Sequence, residues 1–68
     1  MTIYEKTEKG REEIATRKYR LPLKLRTLLV MIDGEKTSGK LLQEMAPFGL
    51  NEESLNELIT QGYIRKKS

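Results

Sequence analysis

A chain of 68 residues with no cysteine and no histidine excludes a disulfide framework, thiolate or imidazole metal ligands and the commonest general base. Its size allows one compact domain, residues 1–68, and favours a groove or flat face over an enclosed cleft. The net charge of +3 is distributed unevenly: residues 1–32 carry eight Lys/Arg against four Glu, residues 33–62 carry two Lys against six Asp/Glu, and the tail adds Arg65, Lys66 and Lys67.

The opening Thr2-Ile3-Tyr4 reads as a short strand. Thr7 caps a first helix, with Glu8 in the turn where negative charge suits the helix dipole. That helix runs to about Lys18 on a thin apolar face of Ile14 and Ala15, and Gly10 weakens it. Pro22 suits the first position of a second helix. Leu21, Leu25, Leu28, Leu29 and Ile32 form one continuous helical face. Leu23, Val30 and Met31 form a second apolar face, and no charge occurs from Thr27 to Ile32. This is the expected central helix, buried on more than one side, and Asp33-Gly34 ends it. Thr37 or Ser38 caps a third helix through about Ala46, with Leu41, Leu42 and Met45 inward. Pro47 and Gly49 break the chain. Asn51 caps a fourth helix with Glu52 and Glu53 in its first turn; Leu55, Leu58 and Ile59 are its stripe and Gly62 its stop. Tyr63-Ile64-Arg65 is a strand able to pair with Ile3-Tyr4. The expected core is Leu25, Leu28, Leu29, Ile32, Leu41, Leu42, Leu55, Leu58, Ile59 and Ile64.

The third and fourth helices and their tight turn form a helix-turn-helix pattern. Three passages carry a wider likeness: Thr7-Glu8-Lys9-Gly10-Arg11; Leu28 to Thr37, an apolar helix followed by Asp-Gly, a basic residue and Thr; and Leu55, Leu58 and the closing Gln61-Gly62-Tyr63-Ile64. With these the chain resembles small winged-helix-like modules of bacterial proteins. The resemblance implies a mainly α domain of three to four helices. A minimal two-stranded β element of the N- and C-terminal segments completes it. A winged helix continues through a wing and a returning strand, and the residues after Ile64 are too few for one, so a truncated wing is expected.

Gly34-Glu35-Lys36-Thr37-Ser38-Gly39-Lys40 has the spacing of a phosphate-binding loop. Leu41 stands where a Mg²⁺-holding hydroxyl belongs, the preceding run is helical, and the chain is too short for the parallel sheet that hosts such a loop. A polar turn between helices is the simpler reading. The serines have no His or Cys beside them in the sequence, and the neighbours Glu12/Glu13 and Glu52/Glu53 do not face each other on a helix. Both pairs read as solvated faces. No enzyme activity, catalytic residue, cofactor, metal or small-molecule substrate is expected.

The basic run Arg17-Lys18-Tyr19-Arg20, with Lys24 and Arg26, and the tail Arg65, Lys66 and Lys67 are candidates for phosphate contact, with Tyr19 placed to stack on a base. The fourth helix occupies the DNA-reading position of a helix-turn-helix, and Asn56 and Gln61 on it are of the type that reads adenine, but its exposed face of Glu52, Glu53, Asn56, Glu57 and Gln61 has no cation. The leading expectation is a non-enzymatic protein-interaction or regulatory module, its partner another protein or itself, with Glu52, Glu53, Asn56 and Glu57 as candidate partner surface. Weak, sequence-independent DNA binding by the basic residues is the alternative. One contiguous basic stripe would favour nucleic acid, and a scatter among acidic residues would favour protein. No apolar run approaches the roughly 18 residues of a membrane span, and residues 1–10 show no secretory pattern. No membrane association is therefore expected, and a cytoplasmic location is.

Overall fold

The computed structural model describes residues 2–67. In chain order its elements are β1 (Tyr4–Lys6), α1 (Glu8–Thr16), α2 (Leu23–Met31), α3 (Ser38–Met45), a 3₁₀ turn (Ala46–Phe48), α4 (Glu52–Thr60) and β2 (Ile64–Lys66). The architecture is mainly α, four α-helices with an antiparallel ribbon made by the two ends of the chain. It is compatible with a winged-helix-like shape.

Local chemistry explains most boundaries. Thr7 accepts the Gly10 N–H at 3.2 Å and Thr37 accepts that of Lys40 at 3.3 Å, each satisfying a donor at a helix start. Asn51 and Ser54 form a reciprocal capping box at the head of α4. Pro22 does not open α2 but precedes it, in extended conformation with ψ 146°. Its carbonyl takes the first helical bond, from the Arg26 N–H. Gly34, Gly49 and Gly62 all have φ near 80°, the left-handed region that ends helices and turns chains.

β1 and β2 pair Tyr4 with Lys66, Glu5 with Arg65 and Lys6 with Ile64; β1 lies two residues later and β2 one residue later than the sequence indicates. The N-terminal segment is held on its other side as well. Ile3 bridges Thr37, and the Ser38 N–H donates to the Thr2 carbonyl at 2.7 Å. The segment before α3 therefore joins the sheet edge, a long-range pairing with no local sequence signal.

The core contains Leu25, Leu28, Leu29, Ile32, Leu41, Leu55, Leu58 and Ile64 as the periodicity indicates, together with Leu21, Met45, Leu50 and Tyr63. Leu42 and Ile59 are only half-buried, packed against its edge. Gly10 has a positive role here. A Cβ at this position would run into the Tyr63 carbonyl and lie 3.3 Å from Leu29 Cδ1, so the missing side chain lets α1 rest on the start of β2. Helix propensity alone would make Gly10→Ala stabilising by about 1 kcal/mol. The close approach reverses the sign, and a loss of about 1–3 kcal/mol is expected in urea denaturation. An increase in stability would show that β2 can withdraw without cost.

The first helix stops two residues sooner than the sequence indicates. Arg17 turns left-handed at φ 57° and Arg20 at φ 52°, a conformation that costs a non-glycine residue about 1–2 kcal/mol. The compensation comes from Glu13. Its carboxylate is wholly buried and accepts the N–H of Tyr19 at 2.7 Å and of Leu21 at 3.1 Å. The sequence places Glu13 on a solvated face with Glu12; only Glu12 is there, where it pairs with Lys18 at 3.1 Å.

Candidate interaction surface

α2 divides its residues between two environments. Leu25, Leu28 and Leu29 point into the core, whereas Leu23 is 72% exposed and Val30 53%. The second apolar face of this helix is thus at the surface, contrary to the expectation that the helix is buried on more than one side. The reason is the number of neighbours: α1 and α4 pack on it, and too few elements remain to cover the opposite side. Beside the uncovered face stands Phe48, 56% exposed on the 3₁₀ turn.

Between these elements runs an open groove of about 510 Å³. Leu23, Thr27, Val30 and Met31 from α2 line it along with Phe48, and Arg26 and Glu44 are its charged members. A smaller recess of about 160 Å³ continues past Phe48 to Lys24 and Leu50. Thr27 donates its hydroxyl to the Leu23 carbonyl at 2.9 Å, so its methyl is the part left to contact a partner. Arg26 reaches the Ile14 carbonyl through a terminal nitrogen at 2.9 Å, while its buried Nε has no partner among the described residues. Glu44 binds Lys36 at 3.1 Å, and this contact raises the Lys36 pKa above its ordinary value. The sequence contains a signal for the groove. The second helix carries more apolar positions than one core-facing stripe requires, and Phe48 sits in a Pro/Gly turn where burial is difficult.

The acidic candidates Glu52, Glu53, Asn56 and Glu57 all lie exposed on α4. Among the described residues none of the three carboxylates pairs with a cation. Gln61 reaches back to Glu57 at 3.5 Å.

The basic candidates fall into two groups. Arg17, Lys18, Arg20, Lys24 and Arg26 gather around the link from α1 to α2 and the start of α2. Arg65, Lys66 and Lys67 lie on or just after β2, and Lys67 donates to the Gly34 carbonyl at 3.0 Å, beyond the other end of α2. Along the helix axis Arg26 and Met31, the last residue of α2, are roughly 8 Å apart. Several of these cations are also engaged. Lys18 is held by Glu12, a contact that raises its pKa, and Arg65 is held by Glu5 at 2.7 Å. Tyr19 is not a free stacking platform either. Its ring meets Tyr63 edge-on at 5.9 Å, and the Lys9 ammonium lies 4.9 Å from its centre. The Tyr63 hydroxyl is pushed above its ordinary pKa by burial first and by the Glu13 charge second.

Four backbone donors of the loop from Gly34 to Lys40 are spent within the protein. The N–H groups of Glu35 and Lys36 bind the Asp33 carboxylate at 2.9 and 3.1 Å, which holds Asp33 below the ordinary carboxylate pKa. The Ser38 N–H goes to Thr2 and that of Lys40 to Thr37. Gly39 lies inside α3. The amides of Glu35, Lys36, Ser38 and Lys40 are thus committed to the turn, the sheet edge and the helix cap and do not point together at one anion site. Among the described residues no cluster of three Asp or Glu has metal-site geometry, and no helix is long and apolar enough to cross a membrane.

No family model, curated protein or solved structure matches this chain.

Proposed function

We propose that this chain is a non-enzymatic, winged-helix-like protein-interaction module that contacts a protein surface and does not read DNA sequence. The observation that carries the reading is the uncovered apolar face of α2, with Leu23, Val30 and Phe48 grouped around one groove. Grouped exposed apolar side chains mark interaction sites far more than scattered ones do. A charged rim of Lys24, Arg26 and Glu44 supplies orientation and specificity.

The arrangement of charge supports the negative half of the reading. In a winged-helix-like module α4 is the element that would enter the major groove. It presents Glu52, Glu53 and Glu57, which phosphates on both sides of the groove would repel. The basic candidates lie on elements other than α4, and Lys18 and Arg65 are paired with carboxylates of the chain itself. Affinity for duplex DNA is therefore expected to be weak, indifferent to sequence and steeply salt-dependent.

The test compares two binding assays on the wild-type chain and on Leu23→Glu. In affinity capture from cell extract, the wild type should retain a protein that Leu23→Glu loses. In anisotropy titrations, random and genomic duplexes should bind alike, and binding should collapse between about 50 and 200 mM salt. Sequence-selective binding that survives the higher salt and disappears on changing Asn56 or Gln61 would overturn the reading.

A further inference from the structure

The uncovered face of α2 has a pattern that fits itself. Leu23, Thr27 and Met31 stand at i, i+4 and i+8, one ridge along the helix. A small residue lies at its centre and larger ones at its ends. The Thr27 hydroxyl is already satisfied by the Leu23 carbonyl, so close approach at the centre buries no orphaned donor. We propose that two copies of this chain pair through this face, with their α2 helices antiparallel about a twofold axis passing beside Thr27. This rests on the protein-interaction reading and names the partner as a second copy.

The argument for a second copy is charge complementarity. Lys24 lies at the start of α2, and its ammonium reaches to about 3.6 Å from the space beside Gly49, just past the 3₁₀ turn. Glu44 lies near the other end of α2 on the same side, tied there through Lys36, whose ammonium also approaches the Met31 carbonyl at 3.5 Å. A twofold axis perpendicular to α2 exchanges the two ends of the helix and keeps the side. It therefore brings Lys24 of one copy toward Glu44 of the other, twice over, as a self-complementary interface requires. The same operation sets Leu23 against Met31 of the second copy and lays Phe48 over that contact. α4 stays outside this interface, so its carboxylates are not brought together.

The patch is small, which places the association in the weak range, with dimer forming between about 10 µM and 1 mM chain. Sedimentation velocity over that range should show the mass rise from one chain toward two. Leu23→Glu changes a residue that is already exposed, so it should keep its helical circular dichroism and remain monomeric throughout. Lys24→Glu and Glu44→Lys should each weaken pairing by about tenfold. The double exchange, made in a Lys36→Gln background so that the new lysine does not face a cation of its own chain, should restore it to within about threefold of the Lys36→Gln chain, because both cross-contacts are then re-formed with reversed sign. Isotope-filtered spectra of mixed labelled and unlabelled chain should show methyl contacts between Leu23 and Met31 of different copies. A wild-type chain that stays monomeric to 1 mM, a Leu23→Glu chain that still pairs, or a double exchange no better than the single ones would each overturn the proposal. If the chain stays monomeric while Leu23→Glu still loses a captured protein, the twofold pairing falls and the interaction reading stands.

Discussion

Leu28→Ala is expected to remove about 2–5 kcal/mol of folding stability. Leu28 has no exposed surface, and it sits in the middle of α2 where that helix meets the rest of the core. Truncation removes three heavy atoms from a close-packed site and leaves a cavity whose walls belong to several elements. Those walls cannot all move inward together. A domain of this length is held by about 3–10 kcal/mol, so the loss is a large share of the total. Urea denaturation followed by circular dichroism measures the loss. Leu23→Ala, on the same helix but largely exposed, is the internal control and should change stability by less than about 0.5 kcal/mol at micromolar concentration. A loss under about 1 kcal/mol at Leu28 would contradict the central place given to α2.

Glu13→Ala is expected to cost about 3–5 kcal/mol, although it removes a charged side chain from what the sequence presents as a soluble helix. The carboxylate accepts two backbone N–H groups at the turn between α1 and α2. Hydrogen bonds to a charged acceptor contribute about 1.5–3 kcal/mol each, and a buried donor left alone costs a comparable amount. The same turn contains the left-handed Arg17 and Arg20, whose strain depends on those contacts for compensation. Glu13→Gln keeps one carbonyl acceptor but turns an amide N–H₂ toward the other donor, so it should lose about 1–3 kcal/mol. It should also lower the Tyr63 pKa in part, since burial remains and the nearby negative charge does not. Stability curves, the amide shifts of Tyr19 and Leu21, and the tyrosine titration together test the assignment. Equal stability of Glu13→Ala and wild type would remove Glu13 from this role.

α3 and α4 are legible in the sequence to within a residue of their ends. Thr37 and Asn51 are strong caps, and the leucines recur at helical spacing. Both are properties of neighbours in the chain, so they survive without knowledge of the fold. Glu13 and Glu12 show the opposite case. Two adjacent glutamates look alike to any local rule, yet α1 turns one toward the link to α2 and the other to solvent. Gly10 reads as a weakness in a helix until the Tyr63 carbonyl, 53 residues later in the chain, is found against it.

The candidate surface divides in the same way. The acidic face of α4 follows directly from Glu52, Glu53, Asn56 and Glu57, because a helix starting at Asn51 with Leu55 and Leu58 inward must leave them outside. The groove is only hinted at, by the surplus apolar positions of α2 and by Phe48 in its turn. Leu23, Val30 and Met31 are apolar whether covered or bare, and periodicity reports which residues share a face, not which faces find a neighbour. The arrangement of the cations was also decided at a distance. Glu5 claims Arg65 only because β1 and β2 pair, and Lys67 reaches Gly34 only because the chain ends close beside the far end of α2. The sequence by itself determined the helices, their caps and the inward stripes, since these depend on contacts within about four residues. Tertiary structure decided the buried carboxylate, the glycine contact, the open face of α2 and the engagement of Arg65 and Lys67, because each depends on groups more than one helical turn apart: Glu13 meets Tyr19 and Leu21 across the link to α2, and Gly10 meets Tyr63.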